Sequence, residues 1–178
     1  LNHSFQIAIE ALQDFNNIEK KIQALCVFSK KPGIYGMIGG QAVDVENCDR
    51  PMEKDKLDFI YNLKTGALIE GSMMIGAIMA GASPEEVKQI EEIGWKIGLA
   101  YQIQDDILDV IGEEEVIGKP LNSDDKNHKT TYVTLLGLEE AQKRVKKLSM
   151  EAVNQLEAYP QRNKFLEEMI KYLIFREK

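Results

Sequence analysis

Residues 101–109, Tyr-Gln-Ile-Gln-Asp-Asp-Ile-Leu-Asp, give the strongest indication of how this chain folds. Four polar side chains here recur at i, i+3, i+4 and i+7, which is one stripe of an α-helix: Gln102, Asp105, Asp106 and Asp109. The rest of the helix is apolar: Leu99, Ala100, Ile103, Ile107, Leu108, Val110 and Ile111. A helix that is apolar on nearly every side is buried. The acids are therefore predicted to line an internal cleft.

The acidic stripe carries like charges that a solvated helix face would avoid. Asp105 and Asp109 stand at i,i+4, where like charges cost about 0.2–0.5 kcal/mol, and the stripe contains no Lys or Arg. A cation from outside the helix must compensate. Mg2+ takes oxygen ligands and shares its remaining positions with waters and phosphates, so the stripe is interpreted as a Mg2+ site. The alternative is an acidic surface patch, which the apolar surroundings disfavour.

Composition, charge and cysteine content limit the classes of protein to which the chain can belong. The chain has 178 residues, 44% hydrophobic and 29% charged, which is typical of one soluble domain. A net charge of −7 and the lack of a basic cluster interleaved with aromatics argue against a nucleic-acid partner. Cys26 and Cys48 lack the paired spacing of a disulfide framework or zinc site. They are interpreted as reduced residues of a cytosolic protein.

Neither a signal peptide nor a membrane span is predicted. The chain starts at Leu1 without a basic segment before an apolar core, and this start resembles a cut in a longer sequence. The most apolar stretch is 65–82, but Glu70 interrupts it and leaves an uncharged run far shorter than the roughly 20 residues that a span needs. This stretch is predicted as a buried helix.

Periodicity and capping signals predict helices throughout the chain and no strands. The expected elements are 3–15, 18–31, a glycine-rich helix that starts at Pro32 and reaches Glu46, a long helix from Glu53, a helix from the N-cap Ser83 to Gly112, a polar loop over 113–127, 131–158 with a break at Gly137, and 161–175. The residues expected to face the bundle in the last two helices are Leu148, Val153, Leu156, Phe165, Met169, Tyr172 and Leu173. The predicted fold class is all-α.

Further motifs accompany the stripe in a fixed order. They are Gly39-Gly40-Gln41-x-x-Asp44, Lys64-Thr65-Gly66-Ala67-Leu68, Gly118-Lys119, Asp124 and Lys129-Thr130-Thr131-Tyr132. Together with 97–109, these motifs resemble those of the trans-isoprenyl diphosphate synthases, the farnesyl and geranylgeranyl diphosphate synthase family. The resemblance covers residues 1–178. One departure stands out, because that family has a first aspartate-rich motif on an earlier helix, which this sequence does not contain.

The resemblance implies a fold and a reaction. The fold is a helical bundle of the isoprenoid synthase type, with residues 1–178 forming the C-terminal part of its single domain and the N-terminal helices lacking. The reaction is a Mg2+-dependent, head-to-tail condensation of an allylic diphosphate, dimethylallyl or geranyl, with isopentenyl diphosphate. A cytoplasmic homodimer is expected. Product chain length is not predicted.

The resemblance also implies roles for individual residues. Asp105 binds the metal directly, Asp106 and Asp109 hold its waters and the lysines, and Gln102 is a donor behind them. The residues implied to bind the diphosphate substrate are Gln41, Asp44, Lys64, Thr65, Gln102, Lys119 and Lys129. Without the resemblance, Asp44 is better interpreted as a surface acid, and each of these lysines as a snorkelling or solvated charge.

Other functions remain open at this stage. A class I terpene cyclase shares the fold and the ionisation chemistry, but the Lys-Thr and Gly-Lys signatures argue against it. A non-catalytic helical partner subunit, or an inactive fragment of a synthase, is the alternative outside catalysis, because the first aspartate-rich motif is missing.

Overall fold

A computed structural model of the chain describes residues 2–48, 50–111, 130–159 and 163–175. These residues form nine α-helices and one π-helical turn, in the order α1 Asn2–Glu10, α2 Ile18–Lys30, α3 Met37–Glu46, α4 Lys54–Tyr61, the π turn Asn62–Gly66, α5 Ala67–Ala80, α6 Pro84–Ile111, α7 Tyr132–Leu136, α8 Leu138–Glu157 and α9 Lys164–Phe175. Over these ranges there is no strand, so the predicted all-α class is confirmed.

The aspartate helix α6 is the centre of the bundle. It packs against α5 on one side and α8 on another, and α9 also contacts it. The core consists mainly of α4, α6 and α8 side chains: Leu57, Ile60, Ile93, Ile97, Leu99, Ile103, Ile107, Val145, Leu148, Val153 and Leu156. Burial of α6 is less complete at its C-terminal end than predicted, because Val110 and Ile111 are exposed.

Glycines allow three backbones to approach closely at one point in the bundle. A Cβ added at Gly98 would lie 2.6 Å from the Cα of Gly66, and one added at Gly40 would lie 2.5 Å from the backbone nitrogen of Lys64. No side chain fits in either space. The π turn is therefore held between α3 and α6, with a glycine at each contact.

Local signals correctly predicted several helix boundaries. The side chain of Ser83 accepts from the N–H of Glu86 at 3.2 Å, and the Glu86 carboxylate accepts from the N–H of Ser83 at 2.7 Å, which is a capping box. Asn17 adopts a left-handed conformation, with φ 56°, between α1 and α2. Gly137, with φ 82°, separates α7 from α8.

Pro32 does not start a helix, contrary to prediction. Residues 31–36 form turns, and α3 begins at Met37, whose N–H donates to the carbonyl of Lys31 at 2.9 Å. The chain folds back so tightly that a Cβ at Gly36 would lie 1.8 Å from that same carbonyl oxygen. Glycine at position 36 permits a turn that the helical periodicity did not indicate.

Three of the four residues predicted to face the bundle from α9, Phe165, Met169 and Tyr172, are exposed, and the side chain of the fourth, Leu173, lies outside the described residues. Phe165 and Tyr172 are 74% and 72% exposed, whereas Glu167 and Ile170 are buried. The side of α9 that faces α6 and α8 therefore includes a carboxylate. A rule that places only apolar residues in the core does not predict this orientation of the helix. The predictions for Leu148, Val153 and Leu156 in α8 are confirmed.

One continuous helix, Lys54–Ala80, is long and apolar enough to cross a membrane by length and composition. A core helix of a soluble protein passes the same test, and a single such helix is weak evidence for a span. This one packs against α6 and carries the buried carboxylate of Glu70, which bonds to Lys31.

Candidate active site

The aspartate stripe lies on the C-terminal half of α6, as predicted. Asp106 and Asp109 are buried, with 5% and 1% exposure, whereas Gln102 and Asp105 are partly exposed. The amide nitrogen of Gln102 lies 3.5 Å from a carboxylate oxygen of Asp105, at the limit of a hydrogen bond. Within the stripe, the two deeper acids face protein and Asp105 is closer to solvent.

Asp106 bonds to two other elements. The hydroxyl of Tyr61, at the end of α4, donates to both carboxylate oxygens at 2.8 Å. The backbone N–H of Tyr132, at the start of α7, donates to Oδ2 at 2.9 Å. These bonds join the aspartate helix to the segments on either side of it.

Tyr132 is itself fixed at its other end. Its hydroxyl donates to Asp58, and burial together with that carboxylate raises the pKa of Tyr132, so the phenol stays protonated as a donor. Lys54 bonds to the other oxygen of Asp58 at 2.5 Å and lies 5.6 Å from the centre of the Tyr132 ring. The N–H of Met52 donates to the hydroxyl of Thr130 at 3.2 Å.

Asp58 and Tyr61 belong to this hydrogen-bonded cluster, although no sequence motif indicated them. A signal existed, because the two residues stand at i,i+3 immediately before the Lys-Thr pair, and a tyrosine at a buried helix position needs a partner for its hydroxyl. Which partner Tyr61 finds depends on how α4 crosses α6, and sequence spacing alone does not give that crossing.

Lys64 and Asp44, which are twenty residues apart, meet in the structure. Their side chains form an ion pair with Nζ 2.6 Å from Oδ2, and both are partly buried. Gly40 makes this pairing possible, because α3 rests directly on the backbone of the π turn there. Thr65 is half-buried beside Lys64, whereas Gln41 is exposed on α3.

The π turn explains how the helix that contains α4 and α5 carries both the Tyr61–Asp106 contact and the Lys64–Asp44 ion pair. Tyr61 and Gly66 both contact α6, although five residues would be about 140° apart on a regular α-helix. Hydrogen bonds of the i→i+5 type absorb one extra residue and bring the two onto the same side. Single-turn π segments of this kind are frequent at functional sites.

The donor set suits a metal that is shared with a ligand. Over the ranges that the structure describes, no group of three or more His, Cys, Asp or Glu side chains is arranged to hold a metal by itself. Mg2+ is usually held by one or two carboxylates and completed by phosphates and waters. Asp105, partly exposed on the stripe, fits that kind of site.

Two site residues cannot be placed. Lys119 and Lys129 lie outside the described residues, as do Gly118, Asp124 and the polar loop predicted over 113–127. The structure thus brings Asp44 together with Lys64, and it places Gln102 and the three aspartates on one helix.

Comparison with known proteins identifies the chain's relatives. The Polyprenyl synthetase family model matches residues 1–172. This chain belongs to the polyprenyl synthetase family. The all-α bundle and the ordered motifs of the chain agree with that assignment.

Among curated sequences, this chain is 35% identical to farnesyl diphosphate synthase from Geobacillus stearothermophilus, over 82% of the chain and 49% of the relative. It is 36% identical to farnesyl diphosphate synthase from Escherichia coli, over 89% of the chain and 54% of the relative. The chain spans about half the length of these relatives.

Solved structures give the same picture. A geranyltransferase from Helicobacter pylori, solved with magnesium and isoprenyl diphosphate, matches 97% of this chain and 56% of its own, with 34% identity and a TM-score of 0.79. Heptaprenyl diphosphate synthase from Staphylococcus aureus has a TM-score of 0.80 at 22% identity, and shows the shared fold alone.

Proposed function

We propose that this chain is the C-terminal part of a trans-isoprenyl diphosphate synthase that forms farnesyl or geranylgeranyl diphosphate. The observation that supports this most directly is the position of Lys64. Its ammonium is held by Asp44, and the π turn that carries it packs through Gly66 against Gly98. Gly98 lies about one helical turn before Gln102, where the acidic stripe begins. The segment that carries the Lys64 ammonium therefore packs next to the helix that carries the run of carboxylates.

Diphosphate binding is assigned to the Lys-Thr pair and α3. The Lys64 ammonium acts as a point charge toward phosphate oxygens, and the Thr65 hydroxyl donates a hydrogen bond. Gln41 and Asp44 contact the diphosphate and its metal through water. Asp44 has a second task here, because it already orients the ammonium of Lys64.

Asp105 is the proposed direct ligand of Mg2+, with Asp106, Asp109 and Gln102 around it on α6. When bound, Mg2+ neutralises negative charge that develops on the leaving diphosphate. Lys119 and Lys129 are proposed to help neutralise the same charge.

The reaction breaks the bond between the allylic carbon and the diphosphate oxygen. The double bond of isopentenyl diphosphate then supplies the electron pair of the new carbon–carbon bond, and a proton is lost to the departed diphosphate. Apolar surface over 66–82 shelters the hydrocarbon, and the Ser72 hydroxyl on that helix is engaged with the carbonyl of Leu68 at 2.8 Å. Excluding water prevents quenching of the cation.

A cytoplasmic homodimer is proposed as the assembled state. Large apolar side chains are exposed on α1 to α3 and in the turns between them: Ile7, Ile9, Phe15, Ile22, Ile34, Tyr35, Ile38 and Val45. Monomeric proteins rarely expose extended apolar patches of this kind. Association of this side with another chain would cover it.

A second candidate function is that of a non-catalytic helical partner subunit or an inactive synthase fragment. The observation in its favour is that the chain spans about half the length of its relatives. A class I terpene cyclase is less well supported, because the Lys64-Thr65 pair resembles a signature of the diphosphate synthases.

Titration calorimetry with inorganic pyrophosphate, with and without Mg2+, tests the proposal. We expect binding that requires Mg2+, and we expect Lys64→Met to weaken it by about tenfold or more, since it removes a charge-assisted contact. Lys147→Met, at an exposed position on α8, is the matched control and should bind as the wild type does. Absence of Mg2+-dependent binding, or equal affinity of the two variants, would contradict the proposed function.

A further inference from the structure

We propose that Asp106 is a positioning residue, and that it orients Asp105 and Lys64 by clamping Tyr61 and Tyr132. This inference rests on the proposed function, and it gives the second aspartate of the motif a task different from that of the first. Asp106 would then act through hydrogen bonds to protein and not as a ligand or water holder of the metal.

The contacts of Asp106 support this assignment. The carboxylate is 5% exposed, and both oxygens accept bonds from the Tyr61 hydroxyl at 2.8 Å. The N–H of Tyr132 adds a third bond at 2.9 Å. Charge-assisted bonds to neutral donors stabilise a buried carboxylate where it stands. The carboxylate is thus directed between α4 and α7.

Helix geometry directs the side chains of Asp105 and Asp106 differently. Successive residues on an α-helix point about 100° apart, so Asp105 and Asp106 do not face each other. Asp105 is partly exposed on the same helix. Fixing Asp106 against Tyr61 and Tyr132 therefore sets the rotation of α6 about its axis, and with it the direction in which Asp105 points.

The same clamp fixes the start of the π turn. Tyr61 is the last residue of α4, directly before Asn62–Gly66, and Lys64 follows three residues later. The rings of Tyr61 and Tyr132 also contact each other, with centroids 5.8 Å apart. A shift of Tyr61 would move the backbone on which Lys64 pairs with Asp44.

The contacts around the hydroxyl of Tyr132 make the clamp rigid. Tyr132 is held at its amide by Asp106 and at its hydroxyl by Asp58, and Lys54 braces Asp58 through an ion pair. Asp58 and Lys54 belong to α4, as does Tyr61. A closed ring of contacts thus links α4, α7 and α6, and removing one member should loosen the others.

A double-mutant cycle with Tyr61→Phe and Asp106→Asn tests the clamp. Amide hydrogen exchange at Tyr132 is the first measurement. We expect each variant to lower the protection of this amide by about tenfold, and the double variant to lower it no further, because both changes break one shared unit. Tyr172→Phe, at an exposed position on α9, is the matched control and should leave the amide unchanged.

Pyrophosphate binding provides the second measurement. We expect Tyr61→Phe and Asp106→Asn to weaken pyrophosphate binding at saturating Mg2+ by a similar factor, about three- to tenfold, while the Mg2+ midpoint moves far less than in Asp105→Asn. A circular dichroism melt of Tyr61→Phe, which keeps the ring, checks that the fold survives.

Two outcomes would overturn the assignment. One is a Mg2+ midpoint that rises in Asp106→Asn as much as in Asp105→Asn while Tyr61→Phe binds normally. The other is additive loss of Tyr132 protection in the double variant, or none in either single variant. If the wild-type chain binds no pyrophosphate, the proposed function fails, and the exchange data alone then decide whether Asp106 clamps the two tyrosines.

Discussion

At the scale of single residues, Lys31 makes the most consequential contact outside the site. Its ammonium bonds to Glu70 on α5 and lies 2.8 Å from the Glu91 carboxylate on α6. Burial lowers the pKa of Lys31, but the hydrogen bonds to the two glutamates outweigh it and raise that pKa above its ordinary value. The residue also accepts the N–H of Met37 at the start of α3. Lys31 therefore ties α3 to α5 and α6.

Lys31→Met should destabilise the chain by about 2–3 kcal/mol, because it leaves the carboxylate of Glu70 buried without its cation. Urea unfolding followed by circular dichroism measures the change. Lys30→Met, at the exposed neighbouring position, is the control and should alter stability by less than about 0.5 kcal/mol.

The double variant Lys31→Met/Glu70→Met sharpens this test. Replacing both partners removes the unpaired charge, so most of the lost stability should return. Equal stability of Lys31→Met and the wild type would show that the ion pair is not a significant contribution.

At the scale of residues, the sequence correctly predicted which side chains share a face when a motif spaces them along one helix. The stripe of Asp105, Asp106 and Asp109 follows from periodicity alone. The partners of Asp106 do not, because Tyr61 and Tyr132 come from other helices, and periodicity along one helix cannot say which hydroxyl or amide a buried carboxylate will meet.

At the scale of elements, the π turn depends on neighbouring helices. Nothing in the composition of Asn62–Gly66 distinguishes it from α-helix, so the sequence predicts a regular helix. The packing of Gly40 and Gly98 on either side of the turn accounts for its position. Capping signals such as that of Ser83 are local, by contrast, and boundaries that rest on them are correctly predicted.

Gly98→Ala tests whether the close helix contact maintains the site. The added Cβ would lie 2.6 Å from the Gly66 Cα, and backbone cannot yield there without moving the π turn. We expect a loss of about 1–3 kcal/mol from overpacking, with weaker binding of pyrophosphate. Thermal melts and calorimetry measure the two effects.

Gly76→Ala is the matched control for Gly98→Ala. Position 76 is exposed within α5, and a Cβ there would meet no atom within 4 Å. Alanine is the better helix former, so this variant should gain about 0.5–1 kcal/mol and bind pyrophosphate normally. A Gly98→Ala variant as stable as Gly76→Ala would mean that the helices separate without cost.

At the scale of the whole molecule, polar and apolar surfaces are unevenly distributed. Eight exposed large apolar side chains, from Ile7 to Val45, lie in α1 to α3 and the turns between them. α8 carries an exposed row of lysines and glutamates on its outer face. Composition predicted one soluble domain, but the average over 178 residues cannot reveal such a division.

The 178-residue chain should bind diphosphate and turn over no substrate. Ionisation of an allylic diphosphate needs its oxygens fixed by metal and cations at short, defined distances. These residues provide one acidic helix, whereas the resemblance implies two, so the leaving group would be attracted but not positioned for departure. Incorporation of labelled isopentenyl diphosphate with dimethylallyl or geranyl diphosphate measures turnover, on a preparation whose intact mass shows only these residues. Clear turnover would mean that the carboxylates of α6, with Lys64, suffice for ionisation, and that the first aspartate-rich motif is dispensable.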